Sequence, residues 1–134
     1  MKKASILIVD DNEGILETLS AILEEKGYRT DTAKNGMDAI EKSKTNFYNV
    51  ALLDIRLPDI EGTELLTKIE ETSPRMVKIM ITGYASLENA VEALNLGADA
   101  YIIKPVKPEK LLALIEEKLE KQREAEKMTE EKVT

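Results

Sequence analysis

The chain has 134 residues, 43% of them hydrophobic and 34% charged, a composition that fits one folded domain with its own apolar core. Its 26 acidic and 19 basic residues give a net charge of −7, which argues against direct binding of this chain to nucleic acid. Because it contains no cysteine, no histidine and no apolar run of membrane-spanning length, disulfides, thiolate chemistry and histidine-based catalysis are excluded, and we expect a cytoplasmic protein that does not bind membranes.

Five short runs of residues are predicted to form β-strands. In chain order they read SILIV, YRTDTA, VALLD, VKIMIT and AYIIK. The first run is too short, and too soon followed by acids, to be a signal peptide. The first, third and fourth runs are almost entirely apolar, as central strands of a parallel sheet are, whereas the second is polar enough for an edge.

Helical patterns fill the intervals between these strands. The apolar residues that mark the five helices are Ile15, Leu19, Ile22 and Leu23; Met37 and Ile40; Leu65, Leu66 and Ile69; Ala90, Val91 and Leu94; and Leu111, Leu112, Ile115 and Leu119. We expect Met37 and Ile40 to face inward from a short helix over 36–44.

The ends of the helices carry their own signals. Gly27 and Gly97 are expected to end the first and fourth helices. Ser86, with Asn89 three residues on, is expected to cap the start of the fourth, and Pro108 to begin the fifth. Strands that alternate with helices predict an α/β fold, in which a five-stranded parallel sheet is covered by helices on both faces.

Polar residues that could form a site follow four of the five strands. Ligands of such folds bind beyond the carboxyl ends of the strands, at the switch point between strands one and three. Asp10 and Asp11 follow strand one, Asp54 ends strand three, Thr82 ends strand four and Lys104 ends strand five. Each alone could be a helix cap, a strand residue or a solvated lysine, but their coincidence at four strand ends favours a shared site.

The chemistry of this set points to a phosphoryl group. Carboxylates a few ångströms apart repel each other by roughly 4 kcal/mol per pair at an effective dielectric near 20, so one must be protonated or a cation must lie among them. Ligands that are all oxygen favour a hard ion such as Mg²⁺. Lys104 and Thr82 could then contact further phosphoryl oxygens.

With these residues at its strand ends, the sequence resembles a known family, the receiver domain of two-component response regulators. The resemblance covers nearly all of residues 4–120 and rests on four segments in order: ILIVDDNEG, VALLDIRLPDIEGTELL, VKIMITGYAS and LGADAYIIKPV. It implies a flavodoxin-like, doubly wound (βα)5 fold with strand order 2-1-3-4-5.

The resemblance also implies roles for single residues. Asp54 would be the phosphoacceptor, and Asp10, Asp11, Asp54 and the backbone carbonyl of Arg56 would hold Mg²⁺ or, as an alternative, Mn²⁺, with Asp11 the more direct ligand of the acidic pair. Thr82, Asp54 and Lys104 would act in phosphoryl transfer. Thr82 and Tyr101 would form a switch pair, and Lys104-Pro105 would be a cis peptide.

A receiver domain implies signalling rather than classical enzyme activity. A sensor histidine kinase, or another phosphohistidine donor, would phosphorylate Asp54 on this chain, which would catalyse only its own phosphorylation and dephosphorylation. The face formed by the fourth helix, fifth strand and fifth helix would be the output surface. Two alternatives are a Mg²⁺-dependent phosphatase with an aspartate nucleophile and an interaction module that works without phosphate.

Two surface expectations concern access to the site. Leu16 lies one position from the Ile15 stripe, so it is expected to be exposed, either as a contact for the kinase or as an incidental surface leucine. Arg56 and Tyr84 are expected to flank the site and to affect the entry of water.

We expect the receiver domain to span residues 1–120 and the remaining 121–134 to form a polar helical extension or linker. The apolar stripe stops after Leu119, and the pair Glu117 and Lys121 favours an exposed helix. The extension could lead to an output domain or pair with a second copy of the chain, and we favour a receiver taken from a larger regulator.

Overall fold

The computed structural model describes residues 4–83 and 86–133, and within them five strands form one parallel sheet. In chain order the elements are β1 (Ser5–Val9), α1 (Glu13–Glu25), β2 (Arg29–Ala33), α2 (Gly36–Thr45), β3 (Val50–Asp54), α3 (Gly62–Thr72), β4 (Val77–Thr82), α4 (Leu87–Asn95), β5 (Ala100–Ile103) and α5 (Pro108–Val133). The sheet order is β2-β1-β3-β4-β5. The predicted fold class and strand order are therefore confirmed, with the polar strand β2 at an edge.

Two apolar clusters, one on each face of the sheet, hold the layers together. Helices α1 and α5 cover one face through Leu19, Leu23, Leu111 and Ile115, all buried against alternate residues of the strands. Helices α2, α3 and α4 cover the other face, where the buried residues include Ile40, Leu65, Ile69 and Ala93. Apolar central strands are buried on both sides because each face has its own layer of helices.

The chain leaves α1 and α4 through glycines in the left-handed region, as expected from the sequence. Gly27 has a φ of +91° and Gly97 a φ of +110°, a conformation that side chains with a Cβ atom rarely adopt. At the start of α4, the backbone carbonyl of Ser86 accepts from the N–H of Ala90. The side chain of Asn89 lies outside the described residues.

Two expectations about helix faces are wrong. Leu16 is only 5% exposed, because the buried side of α1 is formed by Leu16, Leu19 and Leu23, and Ile15 lies at its half-buried rim. Met37 is 60% exposed, because α2 packs through Gly36, Ile40 and other residues at that spacing. In both cases the error is one position along the helix, which turns a side chain by roughly 100°.

Helix α5 continues well beyond the last apolar contact at Leu119. The side chain of Gln122 attaches it to the amino ends of two strands: its Nε2 donates to the carbonyls of Asn49 at 3.1 Å and Arg75 at 2.9 Å, and its Oε1 accepts from Asn49 Nδ2 at 3.1 Å. Despite its 26 residues α5 is too polar to cross a membrane, and no other helix in the described part of the chain could do so.

A charged side chain is also buried in the sheet. Lys78 of β4 is 2% exposed, forms an ion pair with Glu70 of α3 and donates to the carbonyl of Met76 at 2.7 Å. Its backbone N–H donates to the Asp99 carboxylate at 2.8 Å. These partners satisfy a cation that would otherwise be costly to bury.

The burial of Leu16 leads to a test of its structural role. Leu16→Ala should lower the free energy of unfolding by about 2–5 kcal/mol, because it leaves a cavity between α1 and the sheet. Urea denaturation measures the change. Thr18→Ala, at an exposed position of the same helix, should change stability by less than about 0.5 kcal/mol, and equal effects of the two variants would contradict the packing of Leu16.

Candidate functional site

Three carboxylates meet at the carboxyl ends of β1 and β3, which are neighbours in the sheet. One oxygen each from Asp10, Asp11 and Asp54 lies within 4.8 Å of the others. Asp10 and Asp54 are 3% and 8% exposed, whereas Asp11 is exposed. The structure thus brings together the acids that the sequence placed at separate strand ends, with Asp11 on the side open to solvent.

Lys104 reaches the same cluster from the end of β5. Its Nζ lies 3.1 Å from Asp10 Oδ2 and 3.7 Å from Asp54 Oδ2. Its backbone N–H donates to the Thr82 carbonyl at 2.7 Å, which holds the start of this segment against β4. The Lys104-Pro105 peptide bond is cis, as the resemblance implied. One ammonium group is therefore shared between two carboxylates.

The charges at the site are unbalanced. Burial, followed by the negative charge of Asp10, raises the pKa of Asp54 above its ordinary value. The Lys104 ammonium and the Arg56 N–H, which is 3.4 Å from Asp54 Oδ1, act in the opposite direction, and Asp11 adds a further small rise. Three carboxylates converge beside the Lys104 ammonium, and their all-oxygen set fits a hard divalent cation.

The loop after Asp54 closes on itself beside the cluster. Arg56 and Glu61 form an isolated antiparallel bridge, and the Gly62 N–H donates to the Ile55 carbonyl at 2.8 Å. A Cβ atom at Gly62 would lie 2.4 Å from Ile55 Cα, so the closure requires glycine there. This requirement for glycine was not predicted from the sequence, although the turn residues of LPDIEG were a usable signal.

Thr82 and Tyr101 lie on the same face of the sheet. Tyr101 pairs in register with Met80, and Thr82, two residues on, is fully buried. The Tyr101 ring packs on the α2–α4 side, where burial raises the pKa of its hydroxyl and no hydrogen-bond partner for that hydroxyl is found among the described residues. Tyr84, which was expected to flank the site, lies outside the described residues.

Fold and site together agree with comparisons to known proteins. The model of the response regulator receiver domain matches residues 6–116, so the chain belongs to that family. It is 37% identical over 118 residues to the transcriptional regulatory protein ZraR of Klebsiella oxytoca, a match that covers 88% of this chain and 27% of ZraR. The chain thus spans about a quarter of that relative's length.

Solved structures show the same relationship. A CheY-like receiver domain protein from Methanospirillum hungatei is 52% identical, with a TM-score of 0.90, over 92% of this chain and 99% of that one. A response regulator from Burkholderia pseudomallei, solved with a phosphorylated aspartic acid, a calcium ion and citrate, is 29% identical with a TM-score of 0.82, over 95% of this chain and 75% of that one. The chain therefore contains a receiver domain of two-component systems.

The electrostatics of Asp54 can be tested through stability. A carboxyl with a raised pKa in the folded state destabilises the fold as pH rises from its unfolded pKa, about 3.9, through its folded pKa. Asp54→Asn removes this charge, so it should raise the free energy of unfolding at pH 7 in buffer without divalent cations. Urea denaturation should show the gain shrinking as pH is lowered through the pKa of Asp54.

Asp31→Asn provides a control with the opposite sign. Burial raises the pKa of Asp31, but hydrogen bonds from the Tyr48 hydroxyl, the Thr32 N–H and Lys42 outweigh it and lower the pKa overall. A lowered pKa contributes stability above the unfolded pKa that is lost as pH falls through the folded one. This variant should therefore lose stability at pH 7, and a shift of both variants in one direction would contradict the electrostatic explanation.

Proposed function

We propose that Asp54 accepts a phosphoryl group from the phosphohistidine of a sensor histidine kinase. The observation that carries the proposal is the position of Asp54. Its carboxylate lies at the carboxyl end of β3, with an oxygen 3.7 Å from Lys104 Nζ, and it belongs to the cluster that includes Asp11. The phosphorylated aspartic acid of the Burkholderia relative supports it. Residues 1–134 contain no histidine, so the donor phosphohistidine would lie outside them.

Mg²⁺, or Mn²⁺ in its place, would be held by the carboxylates of Asp10, Asp11 and Asp54 and by the backbone carbonyl of Arg56. The exposed Asp11 would be the more direct ligand of the acidic pair, and Asp10 would also orient Lys104. The ion would supply positive charge that offsets the negative charge of the incoming phosphoryl oxygens. The calcium ion of the Burkholderia relative is a similarly hard cation.

Asp54, Lys104 and Thr82 each have a part in the phosphoryl transfer, beside that of the ion. An oxygen of the Asp54 carboxylate attacks phosphorus, the bond from phosphorus to the donor imidazole breaks, and the imidazole takes a proton from solvent. Lys104 stays at the site and pairs with an oxygen of the new phosphoryl group, while the Thr82 hydroxyl donates to another. Water later attacks the acyl phosphate, which restores Asp54 and releases inorganic phosphate.

The output surface would be the face made by α4, β5 and α5. Val91 and Leu94 of α4 and Ile103 of β5 are 48%, 50% and 57% exposed, an unusual set of apolar side chains for neighbouring elements. Phosphorylation adds about 1.5–2 negative charges near Thr82, and a movement of Thr82 toward them would open space for the Tyr101 ring. An output domain or a second copy of the chain would read this change.

The contact with the kinase would lie beside Asp54. A groove of about 440 Å³ runs between α1 and the segment after β5, with Ile15, Ile22, Pro105 and Val106 among its lining. We propose these residues as the kinase-contacting surface in place of the buried Leu16. Lys104 also lines this groove, so a helix packed there would lie close to the acids that Lys104 contacts.

The proposal predicts one covalent adduct. Incubation with acetyl phosphate and Mg²⁺ should add a single phosphoryl group, seen by intact-mass measurement, and hydroxylamine should remove it because the product is an acyl phosphate. Asp54→Ala should abolish the adduct. Asp38→Ala, which removes an acid from α2 outside the cluster, is the matched control and should keep the wild-type yield; an unchanged yield in Asp54→Ala would refute the assignment.

A second prediction concerns the part of α5 after Lys121, which is not expected to take part in the phosphorylation of Asp54. Truncation after Lys121 removes Gln122 and its three hydrogen bonds, so the free energy of unfolding should fall by about 1–3 kcal/mol. The phosphoryl yield should stay unchanged, because Gln122 lies at the amino ends of the strands and Asp54 at the carboxyl ends. Truncation after Met128 keeps Gln122 and should preserve both properties; a lost adduct in the shorter protein would show that residues after Lys121 belong to the functional unit.

A further inference from the structure

Asp59, an exposed residue of the loop between β3 and α3, caps a helix that is not its own. Its Oδ1 accepts from the Gly36 N–H at 2.8 Å, and its Oδ2 accepts from the Met37 N–H at 2.9 Å. These two N–H groups belong to the first turn of α2, where no carbonyl of the helix can reach them. The cap residue of α2 itself, Asn35, accepts instead from the Asp38 N–H.

This contact joins two loops that the sheet order keeps apart. Strand β1 lies between β2 and β3 in the sheet. Helix α2 follows β2, so the hydrogen bonds to Asp59 connect the loops that follow two strands which are not neighbours. The acids Asp10 and Asp11 follow β1 at this end of the sheet. The two loops therefore meet at the same end of the sheet as the carboxylate cluster.

Close packing also holds the β3–α3 loop against the start of α2. A Cβ atom at Gly36 would lie 1.9 Å from Ile60 Cγ2 and 3.4 Å from Asp59 Oδ1, so the loop rests directly on the backbone of α2. The two N–H donors lower the pKa of the Asp59 carboxyl, which keeps it ionised as a cap. Charge, hydrogen bonding and shape thus all hold the loop tip on the helix.

Arg56 lies between the two attachments of this loop. The base of the loop is closed by the hydrogen bond from the Gly62 N–H to the Ile55 carbonyl, and the tip of the loop is held on α2 through Asp59. The geometry points to Asp59 as a positioning residue that fixes the backbone carbonyl of Arg56 for the divalent cation by anchoring the loop to α2. The inference rests on the proposed function, in which that carbonyl is a ligand.

Isothermal titration calorimetry with Mg²⁺ tests this inference on the full chain, without phosphorylation. Asp59→Ala should weaken Mg²⁺ binding by about tenfold, as the loss of groups that orient metal ligands generally does. Asp38→Ala removes the same charge from the first turn of α2 but touches no other loop, and its dissociation constant should stay within about twofold of wild type. Asp59→Asn keeps an acceptor for one of the two N–H groups and should fall between wild type and Asp59→Ala.

A steric arm tests the junction from the helix side. Gly36→Ala should push the loop away through Ile60 and also weaken Mg²⁺ binding. Adding Ile60→Ala to that variant removes the clashing methyl group and should restore most of the affinity. Recovery would assign the lost affinity to the Gly36–Ile60 clash, and failure of the double variant to regain affinity would contradict the steric part of the inference.

The outcomes separate the inference from the function on which it rests. Wild-type protein that binds no Mg²⁺ would overturn the proposed metal site and this inference with it. Wild-type protein that binds Mg²⁺ while Asp59→Ala binds equally well would overturn the inference alone. Equal weakening in Asp59→Ala and Asp38→Ala would also overturn it, because it would assign the effect to net charge.

Discussion

The crowding of like charges at the carboxyl ends of β1 and β3 is the constraint on which the rest of this site depends. Each pair of carboxylates at such distances repels by roughly 4 kcal/mol at an effective dielectric near 20, and Lys104 is shared between Asp10 and Asp54 rather than assigned to one. Burial, followed by the negative charge of Asp10, raises the pKa of Asp54 above its ordinary value. In the proposed function, a cation bound among these acids would offset their charge as the phosphoryl group arrives.

The parallel sheet explains why acids so far apart in sequence meet at all. Strands β1 and β3 are adjacent and in register from Ile6 and Val50 onward, so the residues that follow them leave the sheet at the same edge. On β4 and β5 the same rule brings Thr82 next to Ile103, directly before Lys104. Backbone hydrogen bonds between the strands fix these positions, so the side chains at the carboxyl ends lie close enough to interact.

The sequence predicts the parts of the site that follow from strand ends, and it fails where a contact depends on one helix turn or on another loop. Asp10, Asp54 and Lys104 could be placed because each directly ends an apolar strand. Leu16 was misplaced because neighbouring apolar residues on α1 allowed two registers of its buried side, and only packing decides between them. The contact of Asp59 with α2 joins two loops that nothing in the spacing of residues connects.

The two ends of the sheet satisfy their polar groups in different ways. At the amino ends, Gln122 pairs with backbone and amide groups of Asn49 and Arg75, and the cation of Lys78 has Glu70 as its partner. At the carboxyl ends, Asp10, Asp11 and Asp54 converge, and Lys104 pairs with two of them. In the proposed function, a cation and a phosphoryl group would be gained and lost at this end, away from the two apolar layers that hold the helices on the sheet.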